Sequence, residues 1–368
     1  MPTIPSIKPP PSGSDLGRVT ALHNIQQQQQ RNSNDPIIWP YSTQTCVMLW
    51  QTSQGKSCLL PLIWFALWWG GQATASLGDR LPEFRSCVAV SLQHQLLLWD
   101  CPSECDYTCQ HIVTEERLSR DPPYLEPILQ YHGKWPFYRF LGMQEPFSVL
   151  FSLFNFLAHE YGIAKVKEYI PASYRLRRYY LLFGYFGLVS WTFSMVFHTR
   201  DFNITEKLDY FAAGASVMYG MYYSPIRIFR LDKPDAINGK TGTVLRLWTI
   251  VCVALYLAHI GYLTFVHFDY TYNMAANVVV GIVQNILWTW FSVQRFRKVG
   301  RLWAAWPGLI VAWLILAMSL ELFDFPPWWG MVDAHAFWHL GTVGPTIWWY
   351  NFLIKDAQED LQSVRLKA

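Results

Sequence analysis

Charge is scarce in this chain. Only 15% of its 368 residues are Asp, Glu, Lys or Arg, against 52% hydrophobic and 17% aromatic, a balance that ordinary soluble domains do not show. The net charge of +3 is too small to support a nucleic-acid partner, because phosphate backbones are held by a strong basic excess. The first 55 residues lack the apolar content that could build a core. They are Pro/Gln/Ser-rich, with Pro9 to Pro11 and the run Gln26 to Gln30, and read as a disordered leader.

The apolar residues fall in blocks. Runs starting near residues 141, 179, 208, 244, 272, 303 and 334 are each about 17–25 residues, long enough to cross a hydrocarbon core. The fold class expected is an all-α membrane protein, a seven-transmembrane helix bundle over 141–355 with a cytosolic tail at 356–368. Upstream, Lys56, the apolar run Leu59 to Trp69 and Ala73-Thr-Ala75 have the layout of a signal peptide at 56–75. The segment 76–140 that follows holds Cys87, Cys101, Cys105 and Cys109. Behind a signal peptide, this set reads as two disulfides in an oxidising lumen; a zinc knuckle is the competing reading of the regular spacing in Cys101-x3-Cys105-x3-Cys109.

Basic clusters fix the topology. Lys165, Lys167, Arg175, Arg177 and Arg178 follow the first run, Arg227, Arg230, Lys233 and Lys240 the third, and Arg295, Arg297, Lys298 and Arg301 the fifth. All three lie on one side, which the positive-inside rule makes cytosolic. The intervening loops are acidic or balanced, and so luminal, on the same side as the cysteine segment.

Near the C-terminus, Asp333-Ala-His335-Ala-Phe-Trp-His339 puts two imidazoles four residues apart, on one helix face. This is either a metal chelate or a packed histidine pair. Elsewhere the second run ends Ser190-Trp-Thr-Phe-Ser194-Met-Val-Phe-His198 at the luminal mouth, and the third begins there with Glu206-Lys-Leu-Asp209. His198, His335, His339 and Asp209 thus come from three helices to one membrane face, and ionisable groups inside spans face an interior or a wet cavity. Three imidazoles with an open fourth position suit catalytic zinc, which lowers the pKa of water to about 7 and polarises carbonyls. Asp209 could act as general base or orient a histidine. Ser194, one turn before His198, could donate to a developing oxyanion, or bond its own helix backbone. Glu145 either braces this site or responds to its helix dipole. Asp333 reads as a helix cap, and His159, His259 and His267 as ordinary interior or interfacial histidines.

Lys134-Trp-Pro-Phe, Gln144-Glu-Pro, Phe197-His-Thr-Arg-Asp201, Thr205-Glu-Lys-Leu-Asp-Tyr210, Phe268-Asp-Tyr, Asp324-Phe-Pro-Pro and Asp333-Ala-His-Ala resemble the Per-like family of post-GPI-attachment lipid-remodelling factors. The likeness runs over roughly residues 77 to 355. That family belongs to the CREST superfamily of seven-helix membrane hydrolases, with alkaline ceramidases and the adiponectin and progestin receptors. The resemblance implies zinc held by His198, His335 and His339, with Ser194 and Asp209 beside the activated water. It also implies a phospholipase A2-like activity on the sn-2 acyl chain of GPI-anchored proteins, in the ER membrane or the Golgi. One departure is that Cys87-Val leads quickly into Trp99-Asp-Cys-Pro, where the family has further cysteines, so the luminal segment is shortened. Two other functions fit the same residues: a ceramidase-like amidase, and a non-catalytic receptor or lipid-binding chaperone.

Overall fold

The computed structural model describes residues 77–82, 84, 101–121, 124–233 and 240–365; the leader and signal peptide expected from the sequence lie outside these. Among the described residues the chain is helical. After a short 3-10 turn at Gly78–Arg80 come α1 (Cys101–Ser119) and seven long helices: α2 (Pro146–Tyr169), α3 (Arg177–Thr199), α4 (Asn203–Ile228), α5 (Lys240–Phe265), α6 (Tyr270–Val299), α7 (Trp306–Phe323) and α8 (Ala334–Arg365).

Local signals set the helix ends. Pro146 opens α2, where its missing N–H would have had no partner in any case. Asp269 caps α6 by accepting from the Thr271 and Tyr272 N–H groups, and Gly300 ends that helix at φ 67°. Asp333 caps α8 as expected: its Oδ1 accepts from the Ala336 N–H at 2.8 Å.

Two boundaries differ from the sequence expectation. The first helix begins at Pro146, not near 141, because the chain before it is zipped onto the end of α3. The Gln144 and Glu145 N–H groups donate to the Thr199 and His198 carbonyls, each at 3.0 Å, satisfying acceptors that a helix C-terminus leaves open. At the other end α8 runs unbroken past 355 to Arg365, and Asp356 and Ala357 are fully buried. The stretch expected as a tail therefore starts as part of the helix core.

This is an all-α membrane protein. Among the described residues, four stretches are long and apolar enough to cross a bilayer: Arg177–Thr199, Thr241–Phe265, Tyr270–Val299 and Leu302–Phe323. The helices α2, α4 and α8 are as long but more polar, and much of that polarity points inward: Ser148, Ser152, Asn155, His159, His339, Thr342 and Asp356 are buried. Helix α2 packs on α3 and α8, α3 on α4, α4 on α6, α6 on α7 and α7 on α8, closing a ring, while α5 packs on α4. Val166, Tyr180, Tyr223, Trp288, Tyr350 and Phe352 fill the centre.

The segment before α2 has its own small core of Phe84, Cys109, Val113, Leu129 and Tyr131. Cys109 is disulfide-bonded, which favours the disulfide reading over the zinc knuckle. Hydrogen bonds tie this segment to the loop after α7: Gln130 Nε2 and Trp135 Nε1 donate to the two Asp324 carboxylate oxygens at 2.8 and 2.9 Å, and the Tyr138 N–H donates to the Gly330 carbonyl at 2.7 Å.

Candidate metal centre

One end of the ring gathers the N-terminus of α2, the C-termini of α3 and α7, and the N-termini of α4 and α8. Here His198, His335 and His339 meet, with one ring nitrogen from each lying within 4.8 Å of the others. His198 and His339 are buried. The two Nε2 atoms of His198 and His335 stand 3.3 Å apart.

What surrounds each ring decides its tautomer. His198 Nδ1–H donates to Glu145 Oε2 at 2.6 Å, and His335 Nδ1–H donates to Glu321 Oε2, also at 2.6 Å. His339 Nδ1–H points at Ser152 Oγ, 2.9 Å away, with the Ser148 carbonyl at 3.3 Å. With each Nδ1 beside a carboxylate or hydroxyl acceptor, the Nε2 atoms of His198 and His335 face each other across 3.3 Å, a contact satisfied either by a proton shared between the rings or by a cation bound to both. Two nitrogens bound at about 2.0–2.1 Å to a tetrahedral ion would be about 3.3 Å apart, which the His198–His335 pair matches; with His339 within 4.8 Å, three imidazoles are a donor set that suits zinc. Carboxylates on the outer nitrogens of ligand histidines fix the ring and raise its basicity.

The braces are themselves held. Glu145 Oε1 accepts from Lys134 Nζ at 2.6 Å, and the same ammonium reaches Asp201 Oδ2 at 3.1 Å. Burial alone would raise the Glu145 carboxyl, but Lys134 and His198 beside it hold it well below the usual carboxylate range. Burial works against the Lys134 ammonium, and Glu145 with Asp201 outweighs it and raises its pKa. Glu321 Oε1 accepts from the Tyr270 hydroxyl at 3.0 Å. Asn155 Nδ2 donates to the His339 carbonyl at 2.7 Å, pinning the first turns of α8 to α2.

The two further residues expected at the site are placed differently. Ser194 does not bond its own helix; its hydroxyl meets Ser152 Oγ at 2.9 Å, one step from His339. Asp209 lies near His335, Lys134 and Glu145. Among the described residues it makes no hydrogen bond to any of the three imidazoles, so the orienting positions belong to Glu145, Glu321 and Ser152.

The Per1-like family model matches residues 91–357, a stretch that contains every residue of this centre. The chain belongs to the Per1-like family. Among its curated relatives, the Protein PER1 homolog of Schizosaccharomyces pombe is 42% identical over 79% of this chain and 90% of its own length. Protein PER1 of Saccharomyces cerevisiae is 38% identical over 72% of this chain and 79% of its own. The GPI-specific phospholipase A2-like PGAP3 of Danio rerio is 37% identical over 77% of this chain and 92% of its own.

In this Per1-like chain, sequence reasoning found the three imidazoles and weighed Glu145 as a brace, but missed Glu321, Ser152 and Lys134. Glu321 left a signal, as the single charged residue of the apolar helix Trp306–Phe323; such a group is costly without a partner. Ser152 left none, since a serine among apolar residues of a span most often bonds its own backbone.

Proposed function

We propose that this protein hydrolyses the sn-2 acyl ester of the phosphatidylinositol moiety of GPI-anchored proteins, with His198, His335 and His339 holding zinc. The observation that carries the reading is the meeting of one ring nitrogen from each of His198, His335 and His339 within 4.8 Å of one another, with the Nδ1 atoms of all three bonded outward to Glu145, Glu321 and Ser152. The matched relatives named GPI-specific phospholipase A2-like supply the substrate class.

Zinc, when bound, would lower the pKa of water and polarise the ester carbonyl. The chain supplies the rest. Glu145 and Glu321 keep His198 and His335 in the tautomer that leaves Nε2 open, and Ser152 does so for His339. Asp209, unbonded to the histidines and near His335, takes the proton as water adds to the carbonyl carbon. It then returns that proton to the sn-2 oxygen as the carbon–oxygen bond breaks, releasing a fatty acid and a lyso-anchor. Ser194 turns its hydroxyl from Ser152 toward the developing oxyanion.

The seven long helices would all span, with the site facing the lumen of the endoplasmic reticulum (alternatively the Golgi) and the basic loops in the cytosol. An ester carbonyl of a luminal-leaflet lipid lies just below the headgroups, at the shallow depth expected of this site. A ceramidase-like amidase would use the same geometry on an amide.

Metal analysis of the purified protein beside a His335→Ala, His339→Ala variant, with mass spectrometry of GPI lipids from cells expressing each, tests the reading. Stoichiometric zinc and remodelled anchors are expected only with the wild type. Absence of metal from the wild type, together with unchanged anchors in cells lacking the protein, overturns it. Asp209→Asn separates enzyme from receptor or chaperone: the enzyme stays folded and metal-bound but fails to remodel, whereas a structural carboxylate mainly loses abundance.

A further inference from the structure

Far from the histidines, at the opposite end of α3, a cavity of about 310 Å3 is lined by Ala172, Ser173, Arg175, Arg177, Arg178 and Leu181, with Tyr174 and Asp232 completing its wall. His198 lies 21 residues along the helix from Arg177, about 30 Å at the α-helical rise. The arginines of this end fall into two sets. Arg227, Arg230 and Arg295 each have a carboxylate partner, Asp356, Asp232 or Asp360, within 3.2 Å.

The three that line the cavity do not. Among the described residues Arg175 donates to the Asp232 carbonyl, Arg177 to the Lys167 carbonyl and Arg178 to the Tyr179 hydroxyl, all neutral acceptors. Asp232, the one carboxylate in the wall, already accepts from Arg230 with both oxygens. Arg177 Nε is shielded from solvent and has no acceptor. Three guanidiniums without counter-ions among the described residues thus surround a concavity, at the positive end of the α3 dipole. Leu181 adds an apolar wall where that helix enters its apolar stretch.

We propose that this cavity binds a phosphate-bearing anion: guanidinium forks match phosphate oxygens in a way that lysine ammoniums do not. The Ser173 hydroxyl stands ready as a further donor. The phosphate can come from a phospholipid headgroup of the adjacent leaflet or from a soluble phosphate ester. Neither source depends on the histidine site, so the two proposals stand or fall separately.

The full-length protein reconstituted in phosphatidylcholine nanodiscs containing a minority of phosphatidylinositol monophosphate tests the first source, with native mass spectrometry reading the lipid retained on release. Thermal unfolding in detergent with inorganic phosphate or inositol monophosphate tests the second. Retention by the wild type should fall roughly fivefold for each guanidinium removed in Arg175→Gln and Arg178→Gln. Ala172→Trp, placed on an exposed wall residue, should abolish retention by filling the space while leaving the fold intact, and it decides the matter if the glutamine variants unfold. Stabilisation by the soluble phosphates without lipid retention assigns the site to a free ester. Equal retention in wild type and Ala172→Trp, or no binding of any probe, overturns the proposal and leaves these arginines as topology signals only.

Discussion

The two ends of the helix ring both bury ionisable groups, and they treat them in opposite ways. At the arginine end the buried ion pair around Asp356 is closed on itself: Arg227 grips Asp356 with Nε and Nη2 at 2.5 and 2.6 Å, and Arg295 reaches the same carboxylate at 3.2 Å. At the histidine end the network closes only on its outer side. Glu145, Glu321 and Ser152 take up the Nδ1 positions, and the Nε2 atoms of His198 and His335 face each other at 3.3 Å. The proposed metal site uses this open inner side, whereas the ion pairs at the arginine end leave none.

The largest effect that would test this contrast is at the clamp. Asp356→Ala leaves two guanidiniums uncompensated at a fully buried position, and breaking a buried pair by removing one partner costs about 3–5 kcal/mol. Thermal unfolding of the purified variant should show this loss, with zinc still bound by whatever fraction folds. If Asp356→Ala instead strips zinc while leaving the unfolding temperature unchanged, the two ends are not separate devices.

At the histidine end the expected loss is smaller and falls on binding. Glu145→Gln keeps the shape of the brace but removes the charge that His198 Nδ1–H and Lys134 both engage. Losing an outer-shell carboxylate typically costs 10–100-fold in metal affinity, and competition with a zinc chelator measures it. Thermal stability in the presence of excess zinc should change little. An unchanged zinc affinity would show that Glu145 belongs with the clamps.

The two ends were unequally legible in the sequence. His335 and His339 share a helix face by their spacing alone, and His198 joins them once the positive-inside rule has put the end of α3 and the start of α8 on one side. Spacing and charge bias survive folding because α-helical geometry and membrane topology are both regular. The outer partners were harder, because each is a contact between helices and none has a repeat to reveal it. Ser152 reaches His339 from 187 positions away, and Lys134 comes from a non-helical segment where no periodicity applies. Among the described residues Glu145, Glu321 and Ser152 bond the outer nitrogens of the histidines, and Asp209 bonds none of them. The arginine clamp was hidden for a related reason: its basic residues read as loop charges, and Asp356 fell in a stretch expected as tail. Only the packing of α8 against the core shows that it is interior.

The smallest expected effect concerns acid and the segment before α2 that carries Lys134 to the site. His111 on α1 stacks on Tyr138 with centroids 4.5 Å apart, and its Nε2–H donates to the Phe137 carbonyl at 3.1 Å. Burial lowers its pKa below the ordinary 6.5, against the opposing pull of the Phe137 carbonyl. Folding therefore favours the neutral ring, and the stability this contributes is present above the unfolded value and lost as pH falls through and below it. Amide hydrogen exchange across α1, corrected for intrinsic rates, should rise on going from about pH 7.5 to about pH 5.5, a window in which unperturbed histidine titrates. His111→Phe keeps the stacking and removes the titrating group, so the rise should shrink in that variant. The arginine end should not respond, since guanidiniums stay charged throughout this window. Acid-induced exchange of equal size around Arg227 and Asp356 would mean that the clamp, too, is built on groups that titrate near neutrality, and the contrast between the two ends would fail.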